Sequence, residues 1–189
     1  MSNQGCSDEL VQDTAGRLFQ TAALLLGDGA EAVRLVEETM AGSDVDPCAD
    51  GEQATAVLQK QLVHAAVKEL SRREPSAFAA AETSGGNALC IDDDDLAASG
   101  VSPAQISELL QGEGRGRLRT WLQHLPLAQR AIFVERAVLG HDNAATAETL
   151  RNASGTGSWT PEKVSTLFRQ ALCSLATSLV HSGAPAHVA

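Results

Sequence analysis

Apolar residues recur at helical spacing in a series of stretches separated by glycine, proline and short polar residues. From Ser7 or Asp8 to Leu26, the residues Leu10, Val11, Leu18, Ala22 and Leu25 share an inward face, and Gly27 ends the helix. Asp28 then caps a second helix, with Glu31 placed three residues on as in a capping box, and with Ala32, Leu35, Val36 and Thr39 as its packed stripe. Ala41 to Gly51 is rich in Gly, Asp, Ser and Pro and reads as a loop. A third helix is predicted from about Glu52 to Arg73, buried through Ala54, Val57, Leu58, Leu62, Ala65 and Leu70. The three form an antiparallel helical unit spanning residues 1–73.

From Glu74 to about Val101 the periodicity lapses, through Pro75, Ser84-Gly85-Gly86-Asn87, the four aspartates Asp92 to Asp95 and Ser99-Gly100. Residues 74–114 therefore read as an acidic, flexible linker carrying one short helix, Ser102-Pro103 to Leu110. The helical pattern resumes after Gly114 with the basic cluster Arg115, Arg117, Arg119. One helix opens at Leu125-Pro126 and carries Ile132, Phe133, Val138 and Leu139 to Gly140. A shorter one starts at Asp142 or Asn143, with Ala144, Ala147, Glu148 and Leu150 at helical spacing. A third starts at Thr160-Pro161-Glu162 and runs a stripe of Val164, Leu167, Phe168, Ala171, Leu172 and Leu175. A long, a short and a longer helix in this order is the plan of a helix-turn-helix, whose last helix enters the major groove.

Composition sharpens the fold class. Aromatics make up only 3% of the 189 residues and tyrosine is absent, so the cores must be built from Leu, Val and Ala, which favours helix over sheet. The expected fold is all-α, in two small helical modules joined by the acidic linker. The absence of a long apolar run and of a basic, apolar leader points to a cytoplasmic protein. Cys6, Cys48, Cys90 and Cys173 lie far apart with no ligand spacing, and read as free thiols; no metal or cofactor is expected. Asp92 to Asp95 lack the alternating spacing of a calcium loop and read as solvated linker.

Charge is distributed unevenly along a chain whose net charge is −10. Twenty of its 24 acids but only 6 of its 14 basic residues precede Arg115, giving −14 there and +4 from Arg115 onward. Only the C-terminal part carries the sign needed to approach phosphate.

Leu125-Pro126, Gln129-Arg130, Ile132-Phe133, Gly140, Ala147-Glu148, Leu150 and Val164 together resemble region four of bacterial RNA polymerase sigma factors of the extracytoplasmic-function group. The stretch ALLLGDGAEAVRLVEETM, with Leu26-Gly27-Asp28 and Leu35-Val36-Glu37-Glu38-Thr39, resembles the start of region two of that family. The resemblance implies transcription initiation: residues 18–73 on core RNA polymerase, residues 161–172 on a −35-like promoter element, and an anti-sigma protein as a further partner. It places Glu31, Arg34, Glu37 and Glu38 at the polymerase or partner surface. On the recognition-like helix, Lys163, Ser165, Thr166, Arg169 and Gln170 are the outward polar residues available to phosphates and base edges. The same five also suit the solvated face of an amphipathic helix.

The chain departs from the family pattern at identifiable points. In AVLQKQLVHAAVKELSRR, Leu58 stands where a Trp is common and Ala65 where an Asn is common, so the platform for stacking unpaired bases is missing, although Lys60, His64, Lys68, Arg72 and Arg73 could touch backbone. Arg34 stands where an acid usually precedes the leucine, which would repel a basic partner. RNASGTGSW, residues 151–159, is longer than a usual helix-turn-helix turn. These departures suit a second reading, a sigma mimic that occupies polymerase or an anti-sigma partner without reading promoters. An enzyme is not expected, for the chain has no phosphate loop, metal spacing or nucleophile motif. Of the tryptophans, Trp121 shares a face with Leu118, Leu122 and Leu125 and reads as core. Trp159 reads as a staple against the following helix rather than as an exposed contact.

Overall fold

The computed structural model describes residues 4–27, 29–45, 51–83, 115–155 and 159–183. Among these the regular structure is entirely helical: α1 (Gln4–Leu26), α2 (Gly29–Ala41), α3 (Gly51–Arg73), α4 (Pro75–Thr83), α5 (Arg115–His124), α6 (Leu127–Phe133), α7 (Asn143–Ser154) and α8 (Pro161–Gly183), with a π-helical turn, Val134–Val138, prolonging α6. None of the described helices is long and apolar enough to cross a membrane. The residues 28, 46–50, 84–114 and 156–158, together with both ends, lie outside the description. The Asp28 cap, the aspartate run and the predicted short helix at Ser102 fall there.

Helices α1, α2 and α3 pack on one another, as their apolar stripes require. Leu18, Ala22 and Leu25 of α1 and Ala32, Leu35 and Val36 of α2 are buried, and α1 ends at Gly27, whose φ of +79° is the left-handed conformation that suits glycine. In α3 the expected stripe needs correction. Val57 is 40% exposed, while Val63, Ala66 and Val67 join Leu58, Leu62 and Leu70 in the core. The physical reason is that α3 has two covered sides: it packs on α1 and α2 and also on α6 and α7. A single amphipathic face cannot describe such a helix.

The N-terminal helices and the C-terminal ones share one hydrophobic cluster, from Leu18 and Leu62 to Leu150 and Leu172. The stretch after α3, predicted as linker, starts with α4, whose Phe78 is fully buried and meets Trp159 edge-on, 6.4 Å between ring centroids. Trp159 is itself fully buried, so it is a core residue gripping α4. On the other side of the cluster Trp121, Phe133 and Phe168 form a second aromatic row, with centroids 4.9 and 6.0 Å apart, joining α5, α6 and α8. The Trp121 indole N–H donates to Ser174 Oγ at 3.1 Å. Cys173, expected to be a free thiol, is disulfide-bonded.

Arg130 fixes the junction of the two halves. Only 6% exposed, it donates from Nε to Leu122 O (2.9 Å), from Nη2 to Gln123 O (2.7 Å) and from Nη1 to Leu25 O (3.2 Å). The fork thus bonds carbonyls in the last turns of both α5 and α1, and shares that of Leu122 with the Leu125 N–H. Burial lowers its pKa, and the charge of Glu74 opposes that shift.

Candidate nucleic-acid interface

The two helices of the helix-turn-helix pattern are delimited by their caps. Asp142 takes extended backbone angles and accepts the Ala145 N–H on Oδ1 at 2.7 Å, which starts α7; Gly155, at φ +63°, ends it. Arg151 Nη1 then donates to Trp159 O at 2.9 Å, tying the last turn of α7 to the residue before the Thr160 cap of α8. The Thr160 hydroxyl accepts the Lys163 N–H at 3.3 Å, and Pro161 occupies the first turn, where no N–H is needed. Glu162 lies beside these N-terminal amides, and hydrogen bonding there lowers its carboxyl pKa. Helix α8 packs on both α6 and α7.

All five residues proposed to contact DNA lie on α8, and none of them is fully exposed. The ammonium of Lys163 stands 6.0 Å from the centroid of the Trp159 ring. Thr166 donates to Glu162 O within the helix at 3.0 Å, and Gln170 accepts from Gln129 Nε2 at 3.2 Å. Ser165 and Arg169 are half-buried. The helix therefore presents a polar strip whose ends are partly committed within the protein.

The four residues expected at the partner surface all lie on α2 but are not equivalent. Glu31 makes a two-pronged pair with Arg73, both oxygens 2.8 Å from the guanidinium, and that pairing is the leading cause of the raised Arg73 pKa. Arg34 pairs with Glu38 one turn on, at 3.4 Å, on an exposed face. Glu37 is exposed, as is Val33 at 45%. Of the basic residues on α3, Arg72 and Arg73 both pair with Glu69, while Lys60 and Lys68 are exposed and make no ion pair among the described residues.

Sequence periodicity missed a polar group next to this unit. In the π-helical turn Leu139 N–H reaches back to Val134 O at 3.0 Å, and Glu135 points inward, with no exposed surface. Its Oε2 lies 3.3 Å from His141 Nδ1, whereas Oε1 is buried without a hydrogen-bond partner. Desolvation raises the Glu135 pKa, and the contact with His141 opposes that shift. The neighbouring Arg136 lies over the Phe168 ring, 5.2 Å from its centroid, and donates to His141 O. Glu135 stands at helical spacing from the buried Ala128, Ala131 and Ile132, on the covered face of the helix.

The described residues hold no cluster of His, Cys, Asp and Glu suited to a metal ion. Comparison with family models, with curated proteins and with solved structures finds no match to this chain.

Proposed function

We propose that the chain is a divergent sigma-like protein of transcription initiation, which binds core RNA polymerase through α1 to α3 and a −35-like promoter element through α8. The observation that carries this reading is the α7–α8 unit. Two capped helices are closed by the Arg151 to Trp159 bond, within the part of the chain whose charge balance is positive. Lys163 and Arg169 are the cationic contacts on α8, and Ser165, Thr166 and Gln170 the polar ones. Exposed Glu37 and the Arg34–Glu38 pair form the partner-facing side of α2.

A second reading is favoured by the commitments of the same side chains. Gln170 is held by Gln129, Lys163 lies on Trp159 and Glu31 is held by Arg73. A sigma mimic, docking on polymerase or an anti-sigma protein without reading DNA, needs none of them free.

Purification of the tagged protein from its host, with mass spectrometry of what accompanies it, separates the readings when joined to a gel shift across a salt series. A promoter-reading protein brings core polymerase and binds DNA with an affinity that falls steeply as salt rises. A mimic brings a protein partner and shows no specific DNA complex. Recovery of neither, with no DNA binding at low salt, overturns both.

A further inference from the structure

Between α3 and α7 lies a cleft of about 240 Å³. Lys60 and His64, one turn apart on α3, form one wall, and His141, Glu148 and Asn152 belong to the other. Neither Lys60 nor His64 has a hydrogen bond or ion pair among the described residues, although His64 is half-buried. An unpaired ammonium, two imidazoles and a primary amide thus converge on one space, facing the single carboxylate of Glu148. The donors outnumber that acid, and the volume suits a small molecule rather than a helix or a strand.

Behind the cleft wall stands the buried carboxyl of Glu135, 3.3 Å from the ring of His141. The imidazole therefore separates the cleft from a carboxyl group that has no other close basic side chain among the described residues. A negative charge placed in the cleft would favour a proton on the ring that faces it. The other charged groups around the ring are Lys60 from α3, Glu148 from α7, Asp142 at the α7 cap and Arg136 in the π-helical turn. His64 lies on the opposite wall.

We propose that this cleft binds a small oxyanion, a tetrahedral one such as a phosphate ester or a planar carboxylate, and that binding is accompanied by proton uptake at His141. The site is independent of the reading of α8 as a DNA reader, and its test uses no nucleic acid.

The imidazole resonances of His64 and His141 in the full chain are followed by NMR during separate titrations with sulfate and with acetate. Both probes keep their charge between about pH 6.5 and pH 8, the range over which imidazole titrates, so any pH dependence belongs to the protein. Saturable shifts of both rings are expected with at least one probe, and that probe names the oxyanion class. Binding should be tighter at the lower pH, about tenfold weaker in Lys60→Ala, and tighter in Glu148→Gln. In His141→Asn the pH dependence of binding should be reduced. Linear, unsaturated shifts with both probes, or saturable binding untouched by Lys60→Ala, overturn the site; Lys60 is exposed, so its replacement leaves the core intact. Saturable binding with equal affinity at both pH values overturns the proton coupling.

Discussion

The guanidinium of Arg130 in α6 donates through Nη1 to the carbonyl oxygen of Leu25 in the last turn of α1, at 3.2 Å. Its other two contacts hold the end of α5, so one side chain closes three carbonyls at the seam between the halves. Arg130→Lys keeps the charge but loses the planar fork, and an ammonium cannot serve the three acceptors together. Destabilisation of about 2–4 kcal/mol is expected in urea unfolding, because the carbonyls and the buried charge are left poorly paired. A loss below about 0.5 kcal/mol would mean that water reaches them, since that is the scale of surface substitutions.

Phe78 tests whether α4 belongs to the core. With no exposed surface and an edge-on contact to Trp159, Phe78→Ala should cost about 3–5 kcal/mol. A surface residue of an open linker would cost nearly nothing, so thermal or urea unfolding decides the matter directly.

The raised pKa of Glu135 has a definite sign in the pH dependence of stability. Its folded value lies above its unfolded one, so folding takes up a proton in the window between them. Stability therefore falls as pH rises from the ordinary carboxylate value through the raised one. Glu135→Gln removes that fall and should make the protein more stable at neutral pH, with a flatter profile in urea titrations at stepped pH. Equal stabilisation at all pH values would show instead that the carboxyl titrates alike in the folded and unfolded chain.

Gly155 ends α7 at φ +63°, and a Cβ there meets no atom within 4 Å. Gly155→Ala should consequently cost only the backbone strain, about 1 kcal/mol. Lys163→Ala and Arg169→Ala address function: each should weaken DNA binding by about 1–3 kcal/mol if it reads a base. An unchanged gel shift in both would remove α8 as the reader.

The sequence makes some of these features legible and hides others for physical reasons. Asp142, Pro161 and the Val164 to Leu172 stripe announce α7 and α8, because caps and a single covered face leave a local signature. Helix α3 conceals its burial pattern, since covering on two sides replaces one stripe by a broad apolar surface in which Val57 and Val63 look alike. Helix α4 is hidden among alanines, its only large apolar residue being Phe78, whose partner Trp159 is far along the chain. The π-helical turn leaves no periodic signal, whereas Glu135 lies at helical spacing from the buried Ala128, Ala131 and Ile132. For the candidate site, residue types and their helix were legible. The ties of Gln170 to Gln129 and of Glu31 to Arg73 were not, because they join elements remote in sequence.

The covering of α3 on two sides has a consequence for synthesis. A nascent chain that has released α1, α2 and α3 can bury only the side of α3 that meets the first two helices. Val67 and its neighbours on the side toward α6 and α7 must wait until those helices have left the ribosome. During that interval the growing chain displays an apolar strip to solvent or to a chaperone, and premature termination ahead of α6 should yield an aggregation-prone fragment.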